Sequence, residues 1–298
     1  MRKIPPAMRN SGGSFLSQKT DISGRVPCPW IAFLRSSNAP VVTSENEQIQ
    51  VLELTVPTDE TILSAWAKSF RQRYCFDEEI DELRDGLNLS REEYLLQYIF
   101  PDASAAPGPS IRAGDFAELL VSDYVEHVLG YWVPQEKYAE KAVRNESVKG
   151  VDILGFICPD ASNPTPEDAM LAFEVKALLS GTKYVDRLQV AVDDSSKDYL
   201  RKAESLNATK RRLLRAKEKE KANVVQRFQL LSDRPYQYRS GAAAMLSDAS
   251  FDPVGLAETT TKNHQNATNL QLLVIKGTDL MTLVTSLYAR AANEAGNQ

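Results

Sequence analysis

Glu174 and Lys176 stand two positions apart inside the otherwise apolar run "LAFEVKALL". On an extended strand that spacing sends both side chains to one face. A charge in such a run is costly to bury, so each residue needs a partner or a ligand. Theirs is the one acid-x-lysine triplet in the sequence. Asp152 heads a second strand-like run, "VDILGFIC". If the two strands pair as a hairpin, Asp152 comes close to Glu174, and two carboxylates and an ammonium share one end of a sheet. Two acids so placed repel each other until a divalent cation lies between them. Hard oxygen donors of this kind suit Mg²⁺ or Mn²⁺ rather than Zn²⁺. The backbone carbonyl of Val175 is a further candidate ligand, and Glu118, on the preceding helix, is an acid that reaches in from the side. The chemistry that needs this set is metal-dependent phosphodiester hydrolysis. The ion polarises the phosphate and lowers the pKa of a bound water, and the lysine orients that water or stabilises the developing charge.

The elements that must position these residues are legible in the hydrophobic pattern. "GDFAELLVSDYVEHVLG" reads as a helix with an apolar stripe of Phe116, Leu119, Leu120, Tyr124 and Leu129, stopped by Gly130. "YWVPQEKYA", "GVDILGFIC" and "AMLAFEVKALL" read as three strands. From Tyr184 to Leu231 there is neither Gly nor Pro, which predicts one long helix, or two meeting near "DDSSKD" or "LNATK". The segment "SDRPYQYRSGAAAMLSDASFDPVGLAETTTKNHQNAT" reads mostly as loop with one short helix, and the chain closes with a strand, "LQLLVIKG", and a helix, "DLMTLVTSLYARAA".

Ahead of this region, the first dozen residues read as frayed. "CPWIAFLR" and "EQIQVLELTVP" are strand-like, and a helix follows with Thr58 as its expected N-cap and Ile62, Leu63, Trp66 and Phe70 at helical spacing. After a second acidic helix, "SREEYLLQYIF", the Pro- and Ala-rich "PDASAAPGPS" marks a boundary between an N-terminal α+β region, 1–110, and the main domain, 111–298. The acidic helices of the first region are candidate partner-binding surfaces.

Composition narrows the function classes. With 298 residues, 43% hydrophobic and 25% charged, the chain has the make-up of a globular protein. Neither an apolar run long enough for a membrane span nor a secretory leader is visible, so a cytoplasmic protein is expected. Three scattered cysteines argue against a disulfide framework or a zinc site. Only His127 and His264 are available to a histidine centre or a Ser-His-Asp triad, and both are expected to be structural or surface residues. The net charge of -5 gives no overall attraction to nucleic acid, which leaves the task to a local basic face. The run "TKRRLLRAKEKEK" offers one, with Lys210, Arg211, Arg212 and Arg215 as candidate phosphate contacts and Leu213 and Leu214 as the packing side. A solvated helix face is the competing reading of that run. Gln189, on the helix after the third strand, is a candidate for orienting a nucleophile or phosphate.

"GVD", a gap of about twenty residues and then "FEVK" on the next strand resemble the signature of the PD-(D/E)xK nucleases, although Val151 stands where the leading proline would be. With the acid-bearing helix "GDFAELL" and the helix "DRLQVAVDDSSKDYLRKA", the combination is similar to the HamA nuclease subunits of Hachiman antiphage defence, over roughly residues 111 to 235. The resemblance implies an α/β fold with a restriction-endonuclease-like core, a mixed four-stranded sheet flanked by helices, extended by the N-terminal α+β region. It also implies a Mg²⁺-dependent DNA nuclease restrained by a HamB-like helicase partner. Asp152 and Glu174 would be metal ligands, Lys176 the catalytic lysine and Glu118 an auxiliary acid. A non-catalytic binding or regulatory subunit and a stand-alone restriction-type nuclease are the alternatives.

Overall fold

The computed structural model describes residues 27–37, 40–160, 162–230 and 235–296. The N-terminal dozen expected to fray lies outside them. In chain order, a 3-10 turn, Pro29–Phe33, leads into β1 (Leu34–Ser36), followed by β2 (Val41–Val42), β3 (Gln48–Leu54), α1 (Glu60–Tyr74), α2 (Ile80–Arg84) and α3 (Arg91–Tyr94), which continues as a π-helical turn to Ile99. Then come α4 (Gly108–His127), β4 (Ile153–Ile157), β5 (Ala169–Leu178), α5 (Arg187–Ser195), α6 (Asp198–Arg215) and α7 (Lys219–Arg227). The chain ends with β6 (Gln237–Ser247), α8 (Pro253–Ala257), β7 (Leu270–Gly277) and α9 (Leu280–Asn293).

One mixed sheet of seven strands organises these elements, in the order β1-β3-β7-β6-β5-β4 with β2 beside β3. The expected four-stranded core is not set apart within it, because the N-terminal strands β1, β2 and β3 continue the same sheet. β3, β7, β6 and β5 run parallel, and β4 returns antiparallel along β5. Parallel strands are covered on both faces, which is why β5 and β7 read as nearly continuous apolar runs rather than alternating ones. On one face Phe173, Val175, Met245 and Ile275 pack under α1, α4 and α9 through Phe70, Phe116, Leu120 and Tyr288. On the other, Ala242, Ala244 and Val274 meet Leu188 and Val192 of α5, and Phe156, Met170 and Ala172 meet Leu206, Leu213, Val225 and Phe228 of α6 and α7. Among the described residues no helix is long and apolar enough to cross a membrane.

Residue 110, where the boundary is expected, lies in α4. β3 pairs with β7 and α1 lies along α9, so residues on both sides of it share one sheet and one core.

Local chemistry accounts for the places where the sequence pattern misleads. The 131–139 segment, expected as a strand, makes a single bridge, Trp132 to Phe156, because Pro134 offers no N–H to continue the ladder. The strand-like "PWIAF" is a 3-10 turn opening on Pro29. Asp59, not Thr58, caps α1, accepting the Thr61 N–H at 2.8 Å. The Gly- and Pro-free stretch breaks into three helices: at Ser196–Lys197, within the expected "DDSSKD", and again where Lys217 takes a φ of 61°. Leu213 is buried as expected, but Leu214 is half exposed.

The largest miss is β6, eleven residues long and central to the sheet, read from the sequence as loop. Its "SGAAAM" stretch is made of small residues because large neighbours need the space. Gly241 lies opposite Phe173 on β5, and a Cβ at Gly241 would stand 2.3 Å from the Phe173 ring. Gly241→Ala is accordingly expected to destabilise the protein by about 1–3 kcal/mol, the usual cost of overpacking. Urea unfolding measures it, and adding Phe173→Leu should restore part of the loss.

Candidate active site

The β4–β5 hairpin places the acids. Its register pairs Ile153 with Phe173, so by continuation Asp152, just before β4, comes opposite Glu174. Asp152 Oδ2 accepts the backbone N–H of Val175 at 2.9 Å, fastening the head of β4 to β5 beyond the last strand pair. Lys176 Nζ donates to Glu174 Oε1 at 2.7 Å and lies 2.9 Å from Asp194 Oδ2, at the C-terminal end of α5. Asp152, Glu174 and Lys176 are thus brought together at one end of the sheet.

Glu118 joins them from α4 through a residue that the sequence reading overlooked. Lys137 Nζ donates to Glu118 Oε2 at 2.8 Å and to the Asp152 carbonyl at 2.9 Å, and lies 3.7 Å from Asp152 Oδ1. The Tyr138 hydroxyl donates to the same Glu118 oxygen at 2.6 Å. No periodicity marks Lys137 or Tyr138. They arrive because the chain after Pro134 crosses the mouth of the hairpin instead of extending along it. Asp194 and Asp198, also overlooked, were camouflaged as the polar face of a helical stretch.

Burial sets the electrostatics of the cluster. It raises the Asp152 carboxyl well above the ordinary range, with Glu118 adding to the effect and Lys137 opposing it. Burial also raises Glu174, against the hydrogen bond from Lys176. For Lys176 burial pulls the other way, but the hydrogen bond and charge of Glu174 outweigh it and hold the ammonium above its usual value. The site therefore keeps its lysines charged while making ionised carboxylates expensive, a condition that a divalent cation would relieve.

The donor chemistry fits Mg²⁺. Glu174 Oε2 is buried without a hydrogen-bond partner. The Val175 N–H points to the β4 side, and in an extended residue the C=O addresses the same side as the N–H. Among the described residues no three Asp, Glu, His or Cys side chains are grouped to hold a metal between them. Asp152, Glu174 and the Val175 carbonyl would be the donors to such an ion, a set of the kind Mg²⁺ takes when it keeps several waters.

Glu118 and Asp152 line a cavity of about 540 Å³, together with Lys137, Lys149, Arg201 and Arg212, with Val133, Pro134 and Val151 among its apolar walls. Arg212 is the only residue of the expected basic set in its lining. Arg212 and Arg215 both reach Glu140, at 3.2 and 2.9 Å, and Lys210 donates to Gln226. Arg211 lies exposed on the same helix. Gln189 is engaged elsewhere: its amide accepts the Thr260 N–H and donates to the Thr260 carbonyl, pinning a loop to α5. His264 is a buried structural residue. Its Nδ1 accepts the Asn266 N–H, which leaves Nε2 to donate to Ser195 Oγ at 2.9 Å. The three cysteines are free thiols.

No curated protein matches the chain. A family model does: that of HamA covers residues 31–291, a range that takes in every strand of the sheet and all the acids and lysines just described. The chain belongs to the HamA family.

Proposed function

We propose that this chain is the nuclease subunit of a Hachiman-type antiphage system: a Mg²⁺-dependent enzyme of the PD-(D/E)xK kind that hydrolyses phosphodiester bonds in DNA and is restrained by a helicase partner. The observation that carries the reading is the hairpin register, which sets Asp152 opposite Glu174 with Lys176 hydrogen-bonded to Glu174. Family membership supports the defence role.

In this reading Asp152, Glu174 and the Val175 carbonyl hold Mg²⁺, which supplies Lewis-acid activation of the phosphate and of a water. The chain's own residues do the rest. Lys176, fixed by Glu174 and Asp194, aims an ammonium at the place where negative charge develops. Lys137 and Tyr138 hold Glu118 in place and leave it an auxiliary acid. Lys149, Arg201 and Arg212 give the cavity wall a cationic edge suited to a phosphate backbone.

The test is incubation of the purified chain with plasmid DNA and Mg²⁺. Degradation that stops on adding chelator is expected, and intact plasmid across a range of Mg²⁺ and Mn²⁺ concentrations would refute the assignment. Copurification of the native chain with a helicase, and suppression of cleavage when that helicase is added back, tests the partner. The α6 cations are proposed as part of the DNA track. Arg211→Ala with Arg215→Ala should lower the slope of log affinity against log salt by roughly two units, close to 0.9 per lost phosphate contact. An unchanged slope would assign them to the solvated helix face.

A further inference from the structure

A cavity of about 510 Å³ lies where α5 turns into α6, apart from the one lined by Glu118 and Asp152. One wall carries Tyr199 and Leu200, from the first turn of α6, which are 50% and 81% exposed. Side by side at a cavity mouth, they mark a contact surface rather than stray apolar residues. Another wall is the loop through His264 and Gln265, which several hydrogen bonds tie to α5 and its end. Gln189 binds both the N–H and the carbonyl of Thr260, His264 Nε2 donates to Ser195 Oγ at 2.9 Å, and Ser196 Oγ accepts the Gln265 N–H at 3.1 Å. The cavity is therefore formed before anything enters it.

Tyr199 is presented as a stacking platform. The Lys202 ammonium stands over its ring, 4.2 Å from the centroid, and the Tyr238 ring packs against it at 6.2 Å in a T-shaped contact. These contacts fix the ring and leave its other face to a ligand. A planar aromatic face bordered by ammonium groups suits a nucleobase carried on a phosphate backbone. Position ties the cavity to the reacting centre. Lys197, part of the lining, donates to Asp194 Oδ1 at 2.7 Å, while Oδ2 of the same carboxylate lies 2.9 Å from Lys176 Nζ. One carboxylate thus separates the catalytic ammonium from the cavity rim.

We propose that this cavity takes an unpaired base of the DNA strand being cut, stacked on Tyr199 and flanked by Leu200, with a neighbouring phosphate at Lys197. A base inside a duplex cannot reach it, so the strand is single or has that base turned out. The proposal rests on the nuclease reading, and its test therefore reads binding in the presence of chelator and not cleavage.

Fluorescence anisotropy of the full chain is measured with a labelled oligothymidylate and with an abasic strand of the same length. The native chain should bind the oligothymidylate at least about fivefold more tightly, the low end of what stacking one base contributes. Tyr199→Ala should remove that preference and Tyr199→Trp restore it, both with an unchanged slope of log affinity against log salt, because no phosphate contact is lost. Leu200→Ala, at a side chain too exposed to hold the fold together, should narrow the preference, and circular dichroism reports that each variant is folded. Equal affinity of the native chain for the two strands, or a preference that survives both Tyr199→Ala and Leu200→Ala, overturns the base site. Thymidine monophosphate that displaces the oligothymidylate at equal concentration overturns the strand as its occupant in favour of a free nucleotide. Plasmid cleavage without a base preference would leave the nuclease reading standing alone, and a base preference without cleavage would do the reverse.

Discussion

Glu174→Gln and Lys176→Ala should each reduce Mg²⁺-dependent DNA cleavage by at least about 10²–10³-fold, the usual loss on deleting a preorganised electrostatic group from a reacting centre. Glu174→Gln keeps the shape of a side chain only 6% exposed and removes its charge, so the variant should fold at least as well as the native protein. Lys176→Ala cuts an ammonium held between Glu174 Oε1 on β5 and Asp194 Oδ2 on α5, both outside the hydrophobic clusters. Cleavage is read on plasmid in single-turnover conditions, and folding by circular dichroism and thermal unfolding. Two folded variants that cut at the native rate would remove the site from the mechanism. Asp152→Asn is the sharper companion, because an amide oxygen can still accept the Val175 N–H that fastens β4 to β5, so lost cleavage would report the charge and not the hairpin.

The second large effect lies in the scaffold. Arg71 is completely buried, with a bidentate pair to Asp77 at 2.6 and 2.9 Å and a third bond to the Ala291 carbonyl on α9 at 2.9 Å. Asp77→Ala strands that guanidinium in the core and is expected to destabilise the protein by about 3–5 kcal/mol, the range for removing one partner of a buried pair. The double change Arg71→Met with Asp77→Ala should cost less than Asp77→Ala alone, because the penalty belongs to the orphaned charge. Urea unfolding of the two singles and the double measures it. A double variant no more stable than Asp77→Ala would show that the Ala291 contact, and with it the docking of α1 on α9, is the larger contribution.

Hydrophobic period carried the reading where an element buries a whole face. β5 and β7 are continuous apolar runs, and α4 shows its stripe of Phe116, Leu119, Leu120 and Tyr124, all of them buried. The same pattern fails for β6, whose alanines and Gly241 answer to Phe173 and to the close approach of α5 and not to any preference of their own. It fails again at 131–139, where Pro134 ends the ladder and turns the chain across the hairpin mouth.

What the sequence determined by itself is the pair Glu174 and Lys176 and the strand that carries it, because the alternation of an extended chain puts i and i+2 on one face whatever surrounds them. Tertiary structure decided which groups surround that pair. Lys137 and Tyr138 reach Glu118 from a segment with no ladder of its own, and Asp194 and Asp198 enter from the junction of α5 and α6. Their distances to the acids depend on how helices and loops dock across a sheet, and no local propensity encodes that.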